Sequence, residues 1–205
     1  MDIFKSIKIA QPLIKEKEGF FTDLKNGYVA AYRDPIGIPT IGWGTTEYSN
    51  GKKVKMGDKI TYAQAQSELD FHMLQKANQL LPHITFPIND SQMAAFISFS
   101  YNAGVGKLGK LGDSGIVNKS FFRTFANTGD SAKASKLMET STVTAGGVVL
   151  RGLILRRKKE AALLAVTGDE KKSLVQTVRQ YQNPLLLALV IFLIILVSFS
   201  LANKK

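Results

Sequence analysis

Glu18, Asp34 and Thr40 offer a carboxylic acid, a second carboxylate and a hydroxyl, carried by the segments KEKEGFF and RDPIGIPTIGWGTT. Such a trio suits glycoside hydrolysis. One carboxylic acid protonates the departing glycosidic oxygen, while the other groups assist a water or stabilise the oxocarbenium-like centre. Glu18 is expected at the end of a helix beside Phe20 and Phe21, where desolvation favours its protonated form. Asp34 falls in a turn at the edge of a small sheet. Thr40, six positions later, reads on its own as a β-branched strand residue. Spacing alone decides little, because 16 acidic residues in a chain of 205 offer many such pairs.

Short strands and longer helices must hold these residues in place. Asn26-Gly27 and Asn50-Gly51 are turn signals, and three short strands are expected around them: YVAAY, IPTIGW and KKVKM. Thr61 is expected to cap the helix YAQAQSELDFHMLQKANQLL. Asp90 is expected to cap SQMAAFISFSYNAG, with Gly104 as its stop, and Ser120 and Asp130 to cap two shorter helices. VVLRGLILRRKKEAALLAV closes the body as a helix with a basic face. This order predicts an α+β fold, a small β lobe followed by a larger helical lobe.

Read in order, Glu18-Gly19, then Ala31-Tyr32-Arg33-Asp34 through Gly37 to Thr40-Ile41-Gly42-Trp43-Gly44-Thr45-Thr46, resembles the phage-type lysozymes (endolysins), glycoside hydrolase family 24. FISFSYNAGVG (Phe96 to Gly106) and GGVVLRGLILRRKKE (Gly146 to Glu160) continue the likeness, which covers residues 12–165. The resemblance implies a lysozyme-like fold, an N-acetylmuramidase activity on bacterial peptidoglycan, and no cofactor or metal. It implies Glu18 as general acid, Asp34 as base or charge stabiliser, and Thr40 as the holder of the attacking water. Tyr101, Asn102, Trp43 and Arg157 are the candidate substrate contacts; Arg156 and Arg157 are expected to reach a catalytic carboxylate or the acidic wall polymer, with a solvated basic face as the other reading, and helix packing is the other reading of Tyr101. The chain departs from the family in placing more residues, 15 in all, between Glu18 and Asp34. That insertion makes Asp23 and Glu16 rivals for the acid. A second departure is ETSTVTAGG (Glu139 to Gly147), where the family often carries a Trp. An inactive wall-binding protein and a lytic transglycosylase are the alternatives on the same fold.

Composition bounds the remaining possibilities. The chain has no cysteine, which excludes disulfides and thiolate chemistry. His72 and His83, eleven apart with no cysteine partners, are expected on a helix surface or end rather than at a metal. The net charge is +11, and from residue 171 onward there are five basic residues and no acids. That balance suits any polyanion, but no recognised nucleic-acid motif accompanies it, so a nucleic-acid partner is not expected. Leu185 to Ala202 is an uncharged run, LLLALVIFLIILVSFSLA, and its 18 residues as a helix span roughly 27 Å, about one bilayer core. The N-terminal MDIFKSIKIAQPLIKEKEG has no uninterrupted apolar stretch and does not read as a secretory signal. The expected organisation is therefore a catalytic domain over 1–167, a polar linker or stalk over 168–183 and a transmembrane helix over 184–203. The expected partners are peptidoglycan, a lipid bilayer through 184–203, and other virion membrane or capsid proteins. The expected location is a membrane, crossed once: the internal membrane of a virion or the inner membrane of the host. Basic residues on both sides of the span leave its orientation open.

Overall fold

The computed structural model describes residues 1–18, 26–34, 36–107, 115–145 and 148–167. The chain divides into two units, Met1–Ala165 and Val166–Lys205. The first unit runs in the order α1 (Ile3–Glu18), β1 (Tyr28–Ala30), β2 (Tyr32–Arg33), β3 (Pro39–Thr40), β4 (Lys59–Thr61), α2 (Tyr62–Leu80), α3 (Asp90–Ala103), α4 (Ser120–Thr128), α5 (Ser131–Glu139), β5 (Thr144–Ala145), β6 (Val148–Val149) and α6 (Arg151–Ala165). Short 3-10 turns lie at Leu81–His83 and Ile116–Asn118.

Two hydrophobic clusters organise these elements. The larger is built on α3, which is buried from Gln92 to Ser100 because apolar or small residues surround its whole circumference. Phe96 and Phe99 meet Phe121, Phe122 and Phe125 with ring centroids 4.9–6.3 Å apart, the tilted and edge-to-face arrangements that aromatic quadrupoles favour. The smaller cluster, Val29, Ala31, Ile41, Val54 and Ala65, lies under the β hairpins. Helix α2 serves both. Its first turns give Ala65 to the small cluster, while Leu69, Met73, Ala77 and Leu80 enter the large one. Trp43 packs against both as well.

The β lobe differs from its sequence reading in one strand. β1 pairs antiparallel with β4, Val29 opposite Ile60, and β2 pairs with β3, Tyr32 opposite Thr40. The segment KKVKM forms no named strand and contributes a bridge between Glu47 and Lys53. Only Val54 of that segment is buried, so a single inward side chain gives an extended ladder no apolar face to build on. The strand that does form, Lys59–Thr61, runs straight into α2, where Thr61 makes a reciprocal capping box with Gln64.

Two expected caps shift by one residue. Asn89, not Asp90, caps α3, because Gln92 stands three residues after Asn89 and completes the box. Asp90 instead accepts from the Asp2 backbone N–H at 2.8 Å and pairs with Lys5 at 3.3 Å, tying the start of α1 to α3. Ser120 is the first residue of α4 rather than its cap, and Lys119 in the cap position makes no side-chain capping bond. Asp130 caps α5 as expected, its carboxylate accepting from the Lys133 backbone N–H, and Gly104 ends α3.

The basic face expected on α6 is buried at its centre. Arg156 and Arg157 are enclosed together with Glu160, three and four residues on, so opposite charges from adjacent turns meet inside the body. Among the described residues no helix is long and apolar enough to cross a membrane, and 184–203 lies outside them.

Candidate active site

The Asp34–Thr40 segment is a tight hairpin whose turn is bonded to its own carboxylate. Asp34 Oδ1 accepts from the backbone N–H of Ile36 at 3.0 Å and of Ile38 at 2.8 Å, while the Asp34 N–H donates to the Ile38 carbonyl. The guanidinium of Arg33 donates to the Gly37 carbonyl at 2.7 Å and closes the turn from outside. Asp34 Oδ1 is thus oriented by two donors, and Oδ2 stays outside those bonds.

Register fixes where Thr40 stands. Thr40 lies opposite Tyr32, and Asp34 follows Tyr32 by two residues, so the alternation of side chains puts Asp34 and Thr40 on one face of the hairpin as diagonal neighbours. Thr40 is 3% exposed, and its hydroxyl donates to the Ile38 carbonyl at 3.0 Å. With its proton committed there, the oxygen offers lone pairs, the right polarity to accept from a water.

The end of α1 is brought to this lobe by polar contacts along its last turns. Gln11 bonds Asp70 and Lys15 bonds Gln66, both on α2. Lys15 Nζ also lies 4.4 Å from the centroid of the Trp43 ring, a cation–π contact across the junction of the two clusters. Glu18 is the last residue of α1, one helical turn beyond Lys15; its side chain, and the rival Asp23, lie outside the described residues. Glu16, the other rival, is exposed and paired with Lys159 of α6.

Tyr101 and Asn102 lie in the last turn of α3. The Tyr101 hydroxyl donates to the Trp43 carbonyl at 2.8 Å, so one bond links α3 to the glycine-rich strand end. Tyr101 is half-buried and packs against the larger cluster. The exposed Asn102 accepts from Arg157 Nη2 at 2.9 Å.

Arg157 itself is fully buried, with its guanidinium 4.1 Å from the Phe99 ring centroid. This corrects the expectation of a solvated basic face, and a polymer in solution meets Asn102 before it meets Arg157. The reason is Glu160. Its Oε1 accepts from Arg156 Nε at 3.1 Å and from the Ser98 hydroxyl at 2.7 Å, and its Oε2 stands 3.1 Å from Arg157 Nε as an ion pair without hydrogen-bond alignment. Burial pushes the Arg157 guanidinium down to about 10, against the opposing pull of Glu160. Burial likewise raises the Glu160 carboxyl, with Arg157 and Arg156 acting in the other direction. Two cations and a hydroxyl at contact distance oppose that rise.

Three residues outside the sequence-based site stand beside the hairpin. His72 Nε2 donates to the Glu47 carbonyl at 2.8 Å, Lys15 covers Trp43, and Lys76 lines a pocket with Tyr101. The spacing Glu68/His72/Lys76, one residue per turn of α2, was the available signal for two of them. Among the described residues no group of His, Asp and Glu is arranged to hold a metal ion.

Known proteins resemble this chain over most of its length. The phage lysozyme family is matched over residues 22–160. A SAR-endolysin of Pseudomonas phage phiKMV is 32% identical over 154 residues, covering 74% of this chain and 88% of that protein. Among solved structures, the endolysin from Escherichia coli O157:H7 phage FAHEc1 superimposes with a TM-score of 0.62 at 29% identity, covering 80% of this chain and 93% of that one. A mutant of P22 lysozyme gives a TM-score of 0.59 at 25% identity, covering 77% and 95%.

Proposed function

The chain belongs to the phage lysozyme family, and from that premise we propose that it cleaves the glycan strand of bacterial peptidoglycan with Glu18, Asp34 and Thr40 as its catalytic residues. Glu18 protonates the glycosidic oxygen as the bond to the leaving sugar breaks. Thr40 accepts a hydrogen bond from the attacking water. Asp34, through Oδ2, takes the proton of that water or stabilises the positive charge at the anomeric carbon. Attack from the face opposite the leaving group inverts the anomeric configuration. Tyr101, Trp43 and Asn102 line the sugar path. Arg157 acts through Asn102, whose amide oxygen it holds.

The observation that carries this reading is the shared face of Asp34 and Thr40 on a hairpin whose carboxylate is oriented by its own turn. The test is Glu18→Gln, with Asp23→Asn and Glu16→Gln beside it. Glu18→Gln abolishes release of reducing ends from peptidoglycan while the protein stays folded, and the other two retain activity. Near-normal cleavage by a folded Glu18→Gln protein would reassign the acid. The same reducing-end analysis separates hydrolysis from transglycosylation, since only hydrolysis adds a water to the new end.

We propose further that residues 184–203 anchor the enzyme in a bilayer. The uncharged run from Leu185 to Ala202 and the basic residues on either side support this.

A further inference from the structure

Beside Tyr101 lies a pocket of about 360 Å³, within the size range of small-ligand sites. One wall is Gly44–Ser49, the continuation of the hairpin beyond Thr40; the other is Phe71, His72, Gln75 and Lys76 on α2. The first wall is tied to α2 by hydrogen bonds. Glu68 accepts from the backbone N–H of Ser49 at 2.7 Å and from its hydroxyl at 3.0 Å. His72 donates to the Glu47 carbonyl, and Glu47 is paired with Lys53 at the rim.

Lys76 is the exception among these charges. It is half-buried, lines the pocket, and has no hydrogen bond or ion pair among the described residues. Burial alone lowers its ammonium from the ordinary lysine value, with no carboxylate acting in the other direction. The carboxylates nearby, Glu47 and Glu68, are already engaged by Lys53 and by Ser49. A partly desolvated cation with no counter-ion among the described residues, in a preformed pocket, is complementary to an anion such as a carboxylate.

We propose that this pocket binds a carboxylate of the peptide substituent carried by the glycan strand, with Lys76 as its counter-ion. The inference rests on the lysozyme reading and makes Lys76 a specificity-determining residue for that substrate. On an intact strand the lactyl group of each muramic acid is tied up as an amide, so the free carboxylates are those of the peptide. A strand running past Tyr101 would bring that peptide to the pocket that Lys53 and Lys76 line.

The test uses soluble, un-cross-linked peptidoglycan strands in native form and after carbodiimide amidation of their carboxylates. For the unsubstituted protein, amidation raises KM about tenfold, the value of one charge-assisted contact, with kcat unchanged. Lys76→Met gives that same raised KM on native strands and gains no further penalty on amidated ones; Lys76→Arg restores most of the difference. Equal KM for native and amidated strands with the unsubstituted protein overturns the carboxylate site, whatever the variants do. Strands stripped of peptide by an amidase, whose carboxylate is the freed lactyl group, are cut alike by wild type and Lys76→Met. A Lys76 dependence there would move the contact to the sugar and overturn the peptide assignment. Failure of the unsubstituted protein to cleave any strand overturns the lysozyme reading itself, a result distinct from the others.

Discussion

Asp34 holds two positions at once, turn former and proposed reactive carboxylate, and substitutions separate them. Asp34→Asn keeps a side-chain oxygen to accept from the Ile36 and Ile38 N–H groups but removes the charge. It lowers kcat by about 10²- to 10⁴-fold, the usual worth of a positioned general base, with KM and thermal midpoint close to unchanged. Asp34→Ala loses the turn bonds as well and lowers the thermal midpoint. A rise in KM alone for Asp34→Asn would assign the residue to uniform binding. Thr40→Ser keeps the hydroxyl and most of the activity, whereas Thr40→Ala does not. The hairpin was legible because residue type and spacing along it are local, whereas the roles proposed for Asp34 and Thr40 rest on the resemblance to the phage-type lysozymes. The burial of Arg157 was not legible, because a run of Arg156, Arg157, Lys158 and Lys159 reads as a solvated stripe unless Glu160 is recognised as its internal partner. Tyr48 supplies a pH prediction. Burial, and then its 3.0 Å bond to Asp58, push its phenol up to about 12. The folded state therefore keeps its proton while the unfolded chain ionises near 10, so stability falls as pH rises from 10 through 12. Absorbance titration in the near ultraviolet should show Tyr48 titrating late, and Asp58→Asn should bring it earlier.

At the scale of elements, the helices were readable to within a residue at their caps, and the β lobe was readable except for one strand, Lys59–Thr61 forming in place of KKVKM. A helix carries its period over many residues, whereas the strands here are two or three residues long and hold together through a cluster of five buried side chains. Gly42 shows what that compactness demands. Its φ is +59°, and a Cβ built on it would lie 3.2 Å from the Ala65 Cβ at the start of α2. Gly42→Ala therefore combines backbone strain with a close contact between rigid elements and destabilises by about 1–3 kcal/mol in denaturant unfolding. Gly51 also has positive φ but meets nothing within 4 Å, so Gly51→Ala carries the strain alone, about 1–2 kcal/mol. An equal cost at both would remove the packing argument. In the helical lobe the corresponding weak point is Glu160. Glu160→Gln leaves Arg156 and Arg157 buried without their anion, and loss of one partner from such a group costs about 3–5 kcal/mol.

At the scale of the whole molecule, the question is what joins a peptidoglycan-cleaving body to an uncharged run that lies beyond it. Among the described residues, both hydrophobic clusters are built within Ile3–Leu164. A chain ending after residue 167 should accordingly fold and cleave soluble peptidoglycan strands with the kcat of the full chain. The run from Leu185 to Ala202 has the opposite character, 18 residues without a charge, and an isolated helix of that kind is stable in a bilayer and not in water. The full chain should therefore sediment with membranes, resist extraction by high salt or alkaline carbonate, and come into solution with detergent. The net charge of +11 makes the salt control necessary, since a basic body alone can adhere to anionic lipid and be released by screening. Release of the full chain by salt would reduce the attachment to that surface electrostatics, and free solubility without detergent would exclude the anchor. Removing residues 184–205 should abolish sedimentation while preserving cleavage. It should also remove the protein from purified virus particles, if membrane packaging is how the enzyme reaches the wall.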